Sequence, residues 1–317
     1  MRQASEALAV PLRTVTHAYK TLEQEGLLIR IRGSRTVLRG NTHKRKQANT
    51  FTVGVPIWLE GFSHFQYRRD ILMNLSDDLC HHSIATDPVF FRGQEDFSYR
   101  FIDRLLSHQL DACLWIQPVH WHYNLINTVK DHGIQNIILT DAELEFLPSQ
   151  SIVDRTEAYQ TVFRDWTEKR GIEEIIVIHH GSHTPQRLDC LQKAVSGIPL
   201  KWTLRNRPSR RLAQKGNTAT VILDQVAAIR LVHDDPGLFL QLARIHPILF
   251  ARDCPIIPYP VPEVATVDII RFPTQPICRD LTQLILKGLS DSHYADSKFY
   301  SAEIELQANL RSLTLPQ

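Results

Sequence analysis

Between Val10 and Leu38 the sequence VPLRTVTHAYKTLEQEGLLIRIRGSRTVL combines two things that reading duplex DNA demands. Val15, Ala18, Tyr19 and Leu22 recur at three- and four-residue spacing, which predicts a helix with one apolar side. Arg13, Thr14, Thr16, His17 and Lys20 fall largely on the other face, where hydroxyls, an imidazole and cations can meet base edges and phosphates. Gly26 ends the helix, as glycine does just past a C-terminus. LLIRIRG and RTVLRG then alternate apolar and polar residues about Gly33-Ser34, the pattern of a hairpin. Arg30, Arg32 and Arg35 stud that hairpin. A helix of this kind enters the major groove while the hairpin lies along the phosphates.

Other reactive residues do not assemble into a catalytic pattern. His120 and His122 are two apart, and His179, His180 and His183 sit in IHHGSH. Metal ions need converging ligands, commonly with cysteine or carboxylate partners, and neither group carries C-x-x-C or H-E-x-x-H. They read as loop histidines at strand ends. No G-x-S-x-G elbow, G-x-x-x-x-G-K-[ST] or G-x-G-x-x-G is present, and Asp and His residues are single and spread out. The expectation is a protein that is not an enzyme and needs no metal or cofactor.

Charge is unevenly placed. Residues 1–50 hold ten Lys/Arg against three Asp/Glu, whereas the remaining 267 residues hold twenty-six against thirty-one. A basic end on an acidic body concentrates attraction for phosphate at that end. With 317 residues the chain can form two or three domains, and 43% hydrophobic and 22% charged residues are ordinary for a globular protein. Cys80, Cys113, Cys190, Cys254 and Cys278 are scattered and odd in number, which favours reduced thiols and a cytoplasmic location. No run of eighteen apolar residues and no signal-peptide pattern occurs, so no membrane partner is expected.

The elements that position these residues follow a simple order. RGNTHKRKQANT, residues 39–50, is polar and basic and reads as a linker. From Phe51 strands and helices alternate. FTVGVPIWL, a short strand within Ile84–Phe91, ACLWIQP, NIILTD, EEIIVIHH, PLKWTL, ATVILD, PILFARD and ATVDI read as strands. Ser63–His82, Asp96–His108, Asn124–His132, Ala158–Lys169, Pro185–Val195, a helix opening at Val226 and Ile277–Leu289 read as helices. Alternation at this spacing predicts an α/β fold with parallel doubly wound sheets, divided into two halves near Ser149–Asp154. In such sheets ligands bind beyond the carboxyl ends of the strands. A ligand there would meet aromatic faces and planar hydrogen-bonding groups on the strand-end loops. Trp58 and Phe62 follow the first strand and Trp121 the third; each is either a wall for a ligand or a packed core ring.

Glu6, Leu8, Ala9, Val10, Thr14, Val15, Ala18, Leu22, Glu25, Gly26, Leu27, Leu28, Arg30, Gly33 and Thr36 are in register with the winged helix-turn-helix of the GntR family, which this stretch resembles. The resemblance implies a DNA-binding domain over residues 1–39. Pro11-Leu12 replaces the usual Ser-Arg at the start of the recognition helix, with Arg13 next in line, and Arg35 replaces the second wing glycine. The family's first helix is expected upstream of Met1.

RLLSHQLDACLWIQP, HGIQNIILTD, the long run from Val153 to Val195 and ATVDIIRFP resemble, in order, phrases of the effector domain of LacI-type regulators. That domain shares the two-lobed fold of periplasmic sugar-binding proteins. A GntR-like reader, a basic linker over 40–50 and a LacI-like body over 51–317 together resemble arabinose-repressor-type regulators. The resemblance implies an interlobe site. Asp141 matches the first-lobe aspartate, a hydroxyl acceptor, with a cap or hinge role as the alternative. Arg187 precedes Cys190 where the family has R-x-x-G-F and would fork onto ligand oxygens. Asp224 ends TVILD where the family has paired acids or Asn-Asp. Arg252 replaces the first of two acids; in the pocket it would favour a carboxylate or phosphate, and otherwise it pairs with Asp253 or points outward.

The expected function is a ligand-responsive regulator that works as a homodimer on operator DNA, with a sugar or sugar acid as effector. A small-molecule sensor without DNA binding is the alternative, and an enzyme on the same fold a remoter one.

Overall fold

The computed structural model describes residues 10–24, 28–30, 36–38, 51–93, 99–119, 122–141, 149–180, 184–208, 217–262, 265–291 and 294–314. Helix α1 (Leu12–Gln24) and strands β1 (Leu28–Arg30) and β2 (Thr36–Leu38) fall where periodicity placed a helix and a hairpin. The strands pair antiparallel, Leu28 opposite Leu38 and Arg30 opposite Thr36. Val15 is buried and Tyr19 and Leu22 half-buried, while Ala18, at the margin of the stripe, is exposed. Arg13, Thr14, Thr16, His17 and Lys20 are exposed. The Thr16 hydroxyl donates to the Leu12 carbonyl at 2.8 Å, one turn back along the helix. Gly26, Arg32, Gly33, Arg35 and the 40–50 linker lie outside the described residues.

The body is built of two lobes with the same winding. The first contains β3 (Phe51–Trp58), α2 (Leu59–His64), α3 (Gln66–Cys80), β4 (Ile84–Phe91), α4 (Tyr99–Ser107), β5 (Ala112–Ile116), α5 (Tyr123–Asp131), β6 (Gln135–Thr140) and β7 (Gln150–Asp154). The second contains α6 (Thr156–Arg170), β8 (Glu174–Ile178), α7 (Thr184–Val195), β9 (Lys201–Arg205), β10 (Thr218–Ile222), α8 (Gln225–Ile229) with a π-helical turn (Arg230–Asp234), α9 (Pro236–Ile245), β11 (Ile248–Phe250) and β12 (Thr266–Arg271). Helix α10 (Thr274–Ser290) then packs on α3, and β13 (Ser297–Ser301) and β14 (Glu303–Asn309) close the chain's sheets.

The first sheet runs β4-β3-β5-β6-β7-β13 and the second β9-β8-β10-β11-β12-β14. Pairing is parallel except between β12 and β14. The central strands are apolar because helices cover both faces: all five residues of β5 and of β10 are buried. The chain passes between lobes three times, at Asp154–Thr156, at Phe272–Thr274 and at Ser301–Glu303. Two of these passages are tied together by the Ala302 amide donating to the Asp154 carbonyl at 3.1 Å.

The stretch near Ser149–Asp154, expected as a break between the halves, is the strand β7, buried except at Asp154 and paired between β6 and β13. Three other differences from expectation have physical reasons. The long helix predicted over Ser63–His82 is two helices, because Phe65 turns extended (φ −115°, ψ 120°) to drive a fully buried ring into the core. Strands β13 and β14 were not legible because they are sheet edges, rich in Lys, Gln and Glu and mostly exposed. Helix α9 was overlooked although Asp235 caps it, accepting from the Leu238 amide at 3.1 Å, with Pro236 at its first position. Among the described residues no helix is long and apolar enough to cross a membrane.

Candidate ligand-binding cleft

Both sheets reverse their winding at one point, between β3 and β5 in the first lobe and between β8 and β10 in the second. Crevices open at such switch points, beyond the carboxyl ends of the strands. Trp58 ends β3, Gln117 follows β5, Asp141 follows β6, His180 lies just past β8, Asp224 just past β10 and Arg252 just past β11. The strand ends of the two lobes enclose a cleft of about 380 Å³.

The first-lobe wall is a hydrogen-bonded set. The Tyr67 hydroxyl and Arg68 Nη2 donate to Gln117 Oε1 at 2.7 and 3.3 Å. Arg68 Nη2 also donates to Gln225 Oε1 at 2.8 Å, and Gln225 Nε2 donates to the Tyr67 hydroxyl. Gln225 belongs to α8, so this set joins the lobes. Tyr67 in turn stacks on Phe272 at a centroid distance of 4.6 Å, and the Arg155 guanidinium lies 4.5 Å from the other ring system's centre at Phe272. The Arg68 guanidinium also sits 5.8 Å from the Trp58 ring centre. Gly61 permits this packing: a Cβ there would lie 2.4 Å from the Trp58 ring and 3.1 Å from Arg68 Nε.

Asp141 is the hub of the charged set. Arg155 Nη1 donates to its Oδ1 at 2.6 Å, Arg187 Nε is 3.4 Å from its Oδ2, and Arg252 Nη2 pairs with Oδ2. Gln117 Nε2 donates to Oδ1 at 3.4 Å. Burial pulls the guanidinium of Arg155 below its ordinary range, and does the same to Arg187, where neighbouring Arg155 adds to the shift and Asp224 opposes it. At Arg252 burial brings the value down to about 9, with Arg68 adding to the shift.

The predicted residues divide accordingly. Trp58 is half-buried, lines the cleft and donates from its indole to the Arg92 carbonyl at 2.9 Å. Arg187, Asp224 and Arg252 line it as well. Arg252 points inward to Asp141 rather than to Asp253, which pairs instead with Arg271 at 2.8 Å. Both Asp224 oxygens accept backbone amides, from His180 at 2.6 Å and Ala227 at 2.9 Å, so Asp224 caps α8 and ties it to the end of β8. Phe62 does not line the cleft; α2 turns its ring edge-on to Phe90, 5.5 Å away, against the first-lobe core. Trp121 lies outside the described residues, as do His120 and His183. His122 is buried, and its Nδ1 accepts the Val119 amide at 2.8 Å. Among the described residues no three His, Cys, Asp or Glu side chains are placed to hold a metal ion.

Sequence reasoning missed Arg68, Gln117, Arg155 and Gln225. Arg68 carried a signal: it stands three residues after Phe65 and three before Ile71, a cation inside the apolar stripe of α3. Gln117 occupies a left-handed backbone position (φ 53°) directly after a strand, the kind of site where function concentrates.

The body is a two-lobed periplasmic-binding-protein-like α/β fold, as in the solved structures it resembles. These include a probable maltose operon transcriptional repressor from Staphylococcus aureus (TM-score 0.63, 12% identity, 82% of this chain and 98% of that one). An ABC sugar transporter subunit from Rhodobacter sphaeroides aligns at TM-score 0.60 and 13% identity over 80% of this chain and 97% of its own. The Cra transcriptional dual regulator from Pseudomonas putida, in complex with fructose 1-phosphate, aligns at 0.59 and 14% over 81% and 99%. No protein-family model and no curated protein matches the chain in sequence.

Proposed function

We propose that this protein is a ligand-responsive transcription regulator, not an enzyme, in which a sugar or sugar acid bound between the lobes alters operator binding by an N-terminal winged helix-turn-helix of the GntR kind. The observation that carries the reading is the interlobe cleft, where residues from both lobes meet at the two switch points and three chain passages allow hinge closure. Regulators and sugar-binding proteins among the similar structures support it. Exposed Arg13, Thr14, His17 and Lys20 on α1, followed by a hairpin, support the DNA-reading half. The protein acts in the cytoplasm as a homodimer, two readers on a two-fold axis meeting a pseudo-palindromic site. A ligand changes DNA affinity only through its differential affinity for the two states of the lobes.

Selection of randomised duplexes on the purified chain, repeated with a sugar and sugar-acid panel, tests both halves. The expected result is enrichment of a two-fold site whose occupancy one panel member changes. Ligand binding without any enriched duplex would favour a sensor without DNA binding, a reading that the transporter-type likeness also supports.

A further inference from the structure

We propose that the ligand of this cleft carries a carboxylate or phosphate, received by Arg68, Arg187 and Arg252, which line it and of which the last two pair with Asp141. The proposal rests on the reading of the cleft as the ligand site and names the class of ligand it takes.

The argument is one of charge and unmet hydrogen bonds. Three guanidiniums, Arg155, Arg187 and Arg252, share a single carboxylate, Asp141. Arg155 and Arg252 are each 4% exposed and Arg68, beside them, is 6% exposed. On side chains that line the cleft, Arg68 Nε and Arg252 Nε are buried without a partner; Arg155 Nε and Nη2 are too, on a side chain that lines a separate water-sized hollow with Asp141, Arg187 and Arg252. Asp224, whose oxygens each accept a backbone amide, offsets part of the charge of Arg187, but with Arg68 counted four guanidiniums still face two carboxylates. Glu60, at the rim, is exposed. Buried cations in excess of their counter-charges are costly, and a neutral sugar leaves the excess as it stands. A carboxylate or phosphate supplies both the charge and the acceptors, and guanidinium forks fit either. Burial lowers all three guanidiniums from their ordinary range, which is the desolvation cost a bound anion would offset. Arg187 and Arg252 come from the second lobe and Asp141 from the first, so the internal carboxylate holds the arginines in the place where a ligand anion would bridge the lobes.

Titration calorimetry and thermal shift on the full chain test this with glucose, glucuronate, glucose 6-phosphate and inorganic phosphate at fixed ionic strength. At least one of the anionic sugars is expected to bind about tenfold or more tightly than glucose, a gap of about 1.4 kcal/mol. The glucuronate and glucose 6-phosphate arms tell carboxylate from phosphate. Asp141→Asn frees the guanidiniums and is expected to strengthen anion binding; a hydroxyl-accepting Asp141 would instead make the variant weaker. Arg252→Met is expected to abolish the preference for anions, and Arg252→Lys to keep part of it, with melting curves showing that each variant folds. In the wild type, inorganic phosphate is expected to raise the melting point beyond chloride of equal ionic strength, and in Arg252→Met not to do so. Glucose binding as tightly as the anions, or Asp141→Asn losing them, overturns this proposal and leaves the regulator standing. Binding of no probe, with duplex occupancy that none of them alters, overturns both.

Discussion

Arg252, just past β11 in the second lobe, is ion-paired with Asp141, just past β6 in the first, and both side chains are largely shielded from water, 4% and 16% exposed. The pair is a clasp between lobes built from an acid that two other arginines also hold. Arg252→Met therefore orphans no charge, since Asp141 keeps Arg155 and Arg187. Burial sets the Arg252 value at about 9, below that of the unfolded chain. The native state consequently binds fewer protons than the unfolded state as pH rises above 9, and the cost of burying this cation is fully present below pH 9 and relieved above it. Arg252→Met is expected to be neutral or stabilising at pH 7, and the difference from wild type should shrink as pH rises through 9. Urea unfolding at pH 7, 9 and 10.5 reads it; a widening gap would mean the cation is favourably paired.

Gln225 ties the lobes by a second route, through Tyr67 and Arg68 of α3. In Gln225→Ala both groups lose a buried partner, a cost of about 1–3 kcal/mol. The loss falls on the closed arrangement, because solvent can satisfy the same groups once the lobes part. A larger radius of gyration by small-angle scattering is expected, restored by saturating ligand. An unchanged radius would place the hinge equilibrium elsewhere.

Asp268, 1% exposed on β12, anchors the second lobe's outer layer. It accepts from the Trp166 indole at 2.6 Å, from Arg170 at 3.0 and 3.1 Å, and from the Gln307 amide at 2.7 Å. Removing the carboxylate strands the buried Trp166 indole N–H and the Gln307 amide, while Arg170 keeps its pairing with Asp165. Asp268→Ala is expected to cost about 1–3 kcal/mol in urea unfolding, the range for leaving buried donors unsatisfied. Asp268→Asn should cost less, because its amide oxygen can still accept.

The central strands and the helices between them were legible because burial on both faces writes itself as apolar runs, as in ACLWI and EIIVI. The last two strands were not: β13 and β14 owe their place to backbone pairing with β7 and β12, which leaves no side-chain pattern, whereas the opposite edges β4 and β9 were read from the sequence. The same division holds in the cleft. Arg187, Asp224 and Arg252 stand near strand or helix ends, where the resemblance to the LacI-type effector domain flags them. Gln225 and Arg155 matter because the other lobe comes to meet them, and no spacing along the chain records that. Phe62, which the sequence left as either a ligand wall or a packed ring, meets Phe90 edge-on against the core.

Lys20 and Arg13, exposed on α1, are assigned to the DNA-facing side. Each phosphate contact releases counterions, so Lys20→Ala is expected to weaken duplex binding across sequences and to flatten the dependence of log K on log salt by about one unit. Fluorescence anisotropy from 50 to 200 mM salt, roughly the range over which such contacts are lost, measures it. A parallel shift with unchanged slope would remove Lys20 from the phosphate-contacting face.

Asp253, three residues past the end of β11, is in a left-handed conformation (φ 71°), its amide donating to the Ile270 carbonyl at 2.9 Å. Its carboxylate accepts from the Cys254 amide at 2.9 Å and from Arg271 at 2.8 Å. Burial nevertheless pushes the acid up to about 6, with Arg271 and the Cys254 amide pulling against it and Glu305 and Asp70 adding to the rise. The native state then holds more protons than the unfolded one between about pH 4 and 6. Its contribution to stability is therefore present below that window and lost as pH rises through it. Asn tolerates the left-handed backbone and keeps an acceptor for the Cys254 amide, and Arg271 retains Glu305 at 2.6 Å. Asp253→Asn is expected to flatten the fall in stability between pH 4 and 6 and to equal or exceed wild type at pH 7. Unfolding free energies at pH 4, 5, 6 and 7 supply the comparison. A difference between the two proteins that stays constant across the series would mean that Arg271 fully offsets the burial of the charge.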